Sequence, residues 1–141
     1  MMELKKLAMI EKVVFLKSVD IFSHATVEAL GRVAALTEEV HFEPEATIYR
    51  EGEPVDAIYL VLKGRVALEE KGQLAREVGE KQAFGTVAAL DRNPAIHTVK
   101  AIDPVYALKL NAQDFDDILS LDFELVRAVF RALCRMIRAG Q

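Results

Sequence analysis

The sequence contains a single cysteine, Cys134. One cysteine cannot form a disulfide within the chain and cannot build a thiolate cage for a metal ion. The low cysteine usage therefore excludes a disulfide-stapled fold and predicts a reducing compartment, the cytoplasm. Cys134 lies beside Leu133 and Ile137 in the last helical segment, where we expect it to be a small buried apolar side chain.

Long apolar runs are also missing. Charged residues interrupt positions 1–12 too often for the continuous apolar region of a signal peptide. Elsewhere no stretch approaches the ~18 consecutive apolar residues that a membrane span requires. We therefore expect a chain with no membrane span.

An excess of positive charge is absent as well. Lys and Arg number 18 against 22 Asp and Glu, which gives a net charge of -4 and no overall field that would attract nucleic acid. The three histidines, His24, His41 and His97, match no metal-ligand spacing, and no nucleophile elbow or phosphate-binding glycine loop is present. The sequence thus predicts no metal site, no catalytic residue and no enzymatic activity.

What is present is an apolar content of 52% in 141 residues, enough to fill the core of one domain covering residues 1–141. Apolar residues recur at helical spacing in residues 3–36 and 111–138, and Asn111 is a candidate N-cap for the first of the late helices. Most glycines and all four prolines fall between residues 44 and 104, where they separate short runs of alternating polarity. This pattern predicts a small antiparallel barrel or jelly roll over residues 38–110, with helices on either side.

Two stretches narrow the class further. Residues 50–64, REGEPVDAIYLVLKG, resemble the glycine-glutamate turn and following strand of cyclic nucleotide-binding domains. Residues 84–101, FGTVAALDRNPAIHTVKA, are similar to the phosphate-binding cassette of that family and match its spacing without a gap. The resemblance covers about residues 12–138. It implies a mainly β fold with flanking helices, a double-stranded β-helix or jelly-roll barrel.

The resemblance also implies a ligand pocket around the cassette. A short helical turn after Gly85 would offer free backbone N–H groups to an anion, and in the family an arginine and a glutamate complete the site. Here Thr86 stands at the glutamate position and Ala95 at the arginine position, and Ile96 follows. The candidate pocket residues are Phe84, Gly85, Thr86, Val87, Ala88, Ala95, Ile96, His97 and Thr98.

Both departures fall on groups that carry binding free energy in the family. An arginine makes charge-assisted bonds of about 1.5–3 kcal/mol each to a phosphate, so its loss predicts roughly 10²-fold weaker binding of cyclic AMP or cyclic GMP. Arg92, His97 and Lys100 are candidates for a replacement cation. We therefore expect a stand-alone regulatory module that senses a small anionic ligand, with no certain cofactor. The alternative is an interaction or dimerisation module without a nucleotide ligand.

The last helical segment has two chemical characters. Apolar residues form a stripe along it, and Arg127, Arg131, Arg135 and Arg138 recur at intervals of three and four. The stripe predicts a homodimer formed through this C-terminal helix. The arginines are either a solvated face or a contact surface for an anionic partner. No helix-turn-helix follows, so we expect no DNA binding.

Overall fold

A computed structural model describes residues 7–140 of the chain. Its helices are α1 (Met9–Ser18), α2 (Val27–Leu36), α3 (Thr86–Asp91), α4 (Ala112–Leu121) and α5 (Phe123–Ala139), with a 3₁₀ turn at Asp20–Phe22. Its strands are β1 (Thr37–Phe42), β2 (Thr47–Tyr49), β3 (Ala57–Lys63), β4 (Val66–Glu70), β5 (Gln73–Val78), β6 (Ala83–Phe84), β7 (Thr98–Ala101) and β8 (Val105–Asn111).

The strands form two four-stranded antiparallel sheets, ordered β1-β8-β3-β6 and β2-β7-β4-β5. Strands distant in sequence are neighbours in both sheets; β1, for example, pairs with β8 from Thr37 opposite Leu110 to Phe42 opposite Val105. Helices precede and follow this pair of sheets. The expected fold class, a mainly β jelly roll with flanking helices, is confirmed.

The apolar run in β3 is continuous because both faces of the strand are buried. Ile58 and Leu60 belong to the core between this sheet and the helices, whereas Val61 belongs to the core inside the barrel. The helical core also contains Phe22 and Phe115, whose rings meet edge to face with centroids 5.8 Å apart. The alternation of apolar and polar residues that marks a half-buried strand is therefore absent from β3, because each face of the strand packs against its own apolar core.

Side-chain caps fix the start of the two C-terminal helices. The Asn111 side chain accepts a hydrogen bond from the backbone N–H of Asp114 at 3.1 Å, which confirms the expected cap. Asp122 does the same for α5 by accepting from the N–H of Leu125 at 2.9 Å. The first predicted helix, expected from residue 3, begins at Met9, and residues 1–6 lie outside the described part of the chain.

Candidate ligand-binding cavity

The site begins where β6 turns into α3. Gly85 has φ +82°, and a Cβ there would lie 2.9 Å from the Ala57 carbonyl oxygen and 3.4 Å from the Tyr49 hydroxyl. A side chain is thus disfavoured at Gly85 both by backbone conformation and by space. No side chain caps the first turn of α3, so its backbone N–H groups are left without a side-chain acceptor.

One cavity of about 120 Å³ collects most of the residues singled out in the sequence. From that set it is lined by Phe84, Gly85, Thr86, Val87, Ala88, Ala95, Ile96 and His97. Thr98 does not line it; its hydroxyl accepts a hydrogen bond from the backbone N–H of Glu51 at 3.1 Å. The structure therefore brings together eight of the nine residues around a single space; that they bind a ligand remains a prediction.

Ala95 is held firmly at the wall of this cavity. Its N–H donates to the carbonyl of Glu53 at 2.8 Å, and its carbonyl accepts from the N–H of Gly52 at 2.9 Å. Its methyl group packs with Val55 and Ala88 in a small apolar cluster. The cassette loop is thus attached to the turn before β3, and an apolar surface occupies the position where the family has a guanidinium.

Two of the three candidate replacement cations lie elsewhere. Arg92 forms an ion pair with Asp116 of α4 at 2.6 Å, and it does not line the cavity. Lys100 pairs with Glu69 at 3.3 Å; it alternates along β7 with Val99, which faces the barrel interior. His97 does line the cavity. Of the three candidate side chains that the sequence left open, only the imidazole of His97 therefore lies at the cavity.

A cation that the sequence reasoning missed does line the cavity. Arg76 on β5 pairs with Leu68 of β4, and Leu68 is buried with its side chain in the barrel core. Paired residues of an antiparallel ladder point to the same face, so the register sets Arg76 on the face of Leu68, where its exposed side chain borders the cavity. Among residues 7–140, Arg76 has no ion pair, and it is the single Lys or Arg at the cavity wall.

The field of Arg76 reaches the 3₁₀ turn beside α5. Burial raises the pKa of Asp20 above its ordinary 3.8, whereas the hydrogen bond from the Ile21 N–H and the positive charge of Arg76 act in the opposite direction. Asp20 lies in the turn that packs against α5. Arg76 is therefore near both the cavity and the C-terminal helix.

Aromatic rings form the wall behind the cassette. Tyr59 stacks on Phe84 with ring centroids 4.9 Å apart, and Tyr49 lies tilted against Phe84 at 6.3 Å. Burial, with a smaller contribution from Tyr59, raises the pKa of the Tyr49 hydroxyl above its ordinary value. Tyr49 therefore presents a neutral hydroxyl to the cavity at any pH near 7.

Helix α5 closes the remaining side. Leu133 and Met136 reach the cavity from this helix, while Leu125, Val129 and Ala132 bury the same helix against the rest of the molecule. Pockets for drug-sized ligands commonly enclose about 300–1,000 Å³, which is well above the present volume. The present cavity is therefore smaller than a typical site for a ligand of that size.

The described residues contain no cluster of His, Cys, Asp or Glu able to hold a metal ion. None of the helices found between residues 7 and 140 is long and apolar enough to cross a bilayer.

An antiparallel two-sheet barrel, with a glycine-led helical turn facing a cavity and a C-terminal helix beside it, defines a jelly-roll domain of the double-stranded β-helix type. The profile of the family described as "Cyclic nucleotide-binding domain" matches residues 39–122. The chain belongs to this family.

Similar proteins include regulators. An "Uncharacterized NTE family protein" of Mycobacterium tuberculosis is 29% identical over 127 residues, which are 89% of this chain and 22% of that protein. A "CRP-like cAMP-activated global transcriptional regulator" of the same organism is 26% identical over 114 residues, 75% of this chain and 51% of the regulator. The chain thus spans about half or less of these relatives. The crystal structure of the N-terminal domain of a transcriptional regulator from Streptomyces coelicolor has a TM-score of 0.77 and 26% identity, covering 90% of this chain and 94% of that one.

Proposed function

We propose that this chain is a cytoplasmic regulatory module that binds a small anionic ligand in the cavity beside α3 and binds cyclic AMP and cyclic GMP weakly or not at all. The observation that carries the proposal is the cavity itself, in which Thr86 and Ala95 stand at the positions of the glutamate and the arginine of the family pattern. The module acts by binding and not by catalysis.

The polar groups around the cavity favour an anion. Arg76 supplies a positive charge that has no ion-pair partner among residues 7–140, and the hydroxyls of Tyr49 and Thr86 supply neutral donors. The first-turn N–H groups of α3 add to the same field. A ligand with a carboxylate or phosphate and few other atoms fits both the charge and the volume.

The family's usual ligand is disfavoured for two separate reasons. A phosphate beside Ala95 lacks the guanidinium that the family pattern has at that position, and a ribose beside Thr86 has no carboxylate to accept a hydrogen bond from its hydroxyl. In addition, Leu133 and Met136 occupy space that a nucleotide needs. Binding that displaces them would move α5, which gives the module a route from ligand to signal.

Calorimetric titration at near-physiological salt tests the proposal, with cyclic AMP, cyclic GMP and inorganic phosphate as probes. We expect phosphate to bind and Arg76→Ala to weaken it at least about tenfold, since one charge-assisted pair is lost. Arg92→Ala is the matched control, because Arg92 pairs with Asp116 away from the cavity. Submicromolar binding of either cyclic nucleotide, or heat-silent titrations with all three probes, would contradict the proposal.

We also propose that the module is a homodimer formed through α5. The predicted stripe is divided by the structure into a face that packs on the domain and a second apolar face in solvent, where Phe130 and Ile137 are each 61% exposed. Sedimentation of the unaltered protein tests this, and Phe130→Asp with Ile137→Asp should give a folded monomer. A protein that stays monomeric at high micromolar concentration would contradict the dimer.

A further inference from the structure

A second recess lies along α5 and shares no lining residue with the cavity beside α3. It has a volume of about 390 Å³ and lies between the first half of α5 and the start of α2. Ala29, Leu125 and Ala128 are buried and form its apolar floor, whereas Arg127 and Arg131 are exposed along its edge. We call this recess the arginine groove.

The arginines of the groove belong to a longer row on α5. Arg127, Arg131, Arg135 and Arg138 recur at intervals of four, four and three residues, so they follow one flank of the helix over about 16 Å. All four are exposed, and no carboxylate between residues 7 and 140 forms an ion pair with any of them. The row is therefore a line of positive charge, and a bound anion would relieve the repulsion within it.

His24 connects the row to the far wall of the groove. Its Nε2 atom lies 3.2 Å from the Nη1 atom of Arg135, and His24 itself lines the groove. A guanidinium can only donate, so Nε2 carries no proton in this contact and accepts the hydrogen bond. The contact sets Arg135 beside the groove, next to Arg127 and Arg131. Three guanidinium groups therefore stand along one recess.

The acids near the groove leave this positive charge in excess. Glu124 is the one acid among the residues that line it, and no lysine or arginine in residues 7–140 forms an ion pair with Glu124. Asp122, two positions earlier, is paired with Arg32 of α2 instead. One carboxylate therefore stands against three guanidinium groups.

We infer that the arginine groove binds an extended acidic segment of a protein partner, with acidic side chains at every second position. Arginines four residues apart on a helix recur about every 6 Å. Alternate residues of an extended segment point to the same side and recur about every 6.6 Å. Three acids of such a segment would therefore each meet one of Arg127, Arg131 and Arg135.

Two other polyanions fit the groove less well. A nucleic acid extends far beyond the row, and the net charge of -4 on the chain would repel its further phosphates. A flat anionic bilayer would reach the exposed arginines and leave the apolar floor of the groove uncovered. A narrow peptide segment can enter the recess and contact this floor while its acids meet the row.

Fluorescence anisotropy at low ionic strength tests the inference with the full chain and a labelled peptide in which three glutamates alternate with serines. A second peptide has the same composition but places the three glutamates side by side, so that its charge is equal and its spacing differs. We expect the alternating peptide to bind at least about threefold more tightly, because adjacent acids reach fewer of the arginines, and added salt to weaken it. Equal binding of the two peptides, or no binding of the alternating one, would overturn the inference.

Arg127→Ala with Arg131→Ala should weaken the alternating peptide at least about fivefold, because two of the three ion pairs are lost. Alanine favours a helix, so α5 should be retained, and circular dichroism checks this. Arg50→Ala with Lys63→Ala is the matched control, since both are exposed charges on the barrel with no ion pair among residues 7–140. An equal loss in the control would show that net charge alone governs binding and would overturn the groove.

Charge reversal provides a second readout. Arg127→Glu with Arg131→Glu should lose the acidic peptide and bind the peptide in which lysines replace the glutamates. Oligothymidylate, and vesicles of equal parts phosphatidylcholine and phosphatidylserine, serve as the competing polyanions. If either binds more tightly than the alternating peptide and is lost in Arg127→Ala with Arg131→Ala, the groove belongs to that polyanion and the inference of a protein partner is overturned.

Discussion

Restoring the two missing groups of the cassette should create a cyclic nucleotide site. In Thr86→Glu with Ala95→Arg, the new guanidinium can make two charge-assisted bonds to a phosphate, each about 1.5–3 kcal/mol. Part of that gain is lost because the arginine must leave water beside Val55 and Ala88, which form an apolar wall. We expect a net gain of at least ~1.4 kcal/mol, so the double variant should bind cyclic AMP at least about tenfold tighter than the native chain.

The side of the cavity that α5 covers adds a separate free-energy cost of nucleotide binding, which is the same for the native chain and for the double variant. Leu133 is partly buried and Met136 is 37% exposed, and full burial of such a side chain is worth about 1.5–3 kcal/mol. If nucleotide entry removes roughly half of that burial from each of the two side chains, the total cost is about 1.5–3 kcal/mol. Met136→Ala should remove part of this cost and tighten binding further when added to the double variant.

Isothermal titration with cyclic AMP measures these differences directly. Ala95→Gln with Thr86→Glu is the matched control, because glutamine is long and polar but carries no charge. Thermal melts followed by circular dichroism check that each variant is folded. Equal affinities for the double variant and its glutamine control would refute the reasoning, because the predicted gain depends on the guanidinium charge.

Three further predictions concern stability and are measured by urea unfolding followed by circular dichroism. Asp122→Ala should lower the free energy of unfolding by about 1 kcal/mol through loss of the α5 cap, and Asp122→Ser should be nearly neutral. The Leu125 N–H and then Arg32 lower the pKa of Asp122, so its contribution to stability is present above pH 3.8 and is lost as the pH falls through the lowered pKa. A stability that does not change with pH in this acid range would contradict the prediction. Phe115→Ala should cost about 3–5 kcal/mol, because the ring is 1% exposed in the helical core, and a loss under 1 kcal/mol would refute that packing. Burial raises the pKa of Tyr49 above 10.0, so stability should fall as pH rises above that value, and Tyr49→Phe should reduce the fall.

Local signals in the sequence predicted much of the fold. The glycines and prolines of residues 44–104 separate the strands, and Asn111 caps α4 as its side chain and spacing predicted. The cassette spacing also placed Thr86 and Ala95 at one cavity. These features depend on residues close together in the chain, so patterns of a few positions are enough to predict them.

The remaining features of the site depend on contacts between distant segments. In the sequence Arg76 is one charged residue among several, and only its pairing with Leu68 places it beside the cavity. Likewise, helical periodicity merged the two apolar faces of α5 into one stripe. Cys134 was expected to be buried, and this was wrong: it lies on the exposed side of α5, away from the face that packs on the domain. Which face is covered depends on the neighbours of a helix and not on its own pattern.

Leu133 belongs both to the cavity wall and to the apolar stripe of α5. If ligand binding shifts this one side chain, it changes the free energy of pairing, and thermodynamic reciprocity then requires pairing to change ligand affinity by the same factor. The concentration of the protein itself would thereby act as an effector of its own pocket. At the same ligand concentration, a cell with little of this protein and a cell with much of it would therefore differ in the fraction of the protein that is bound.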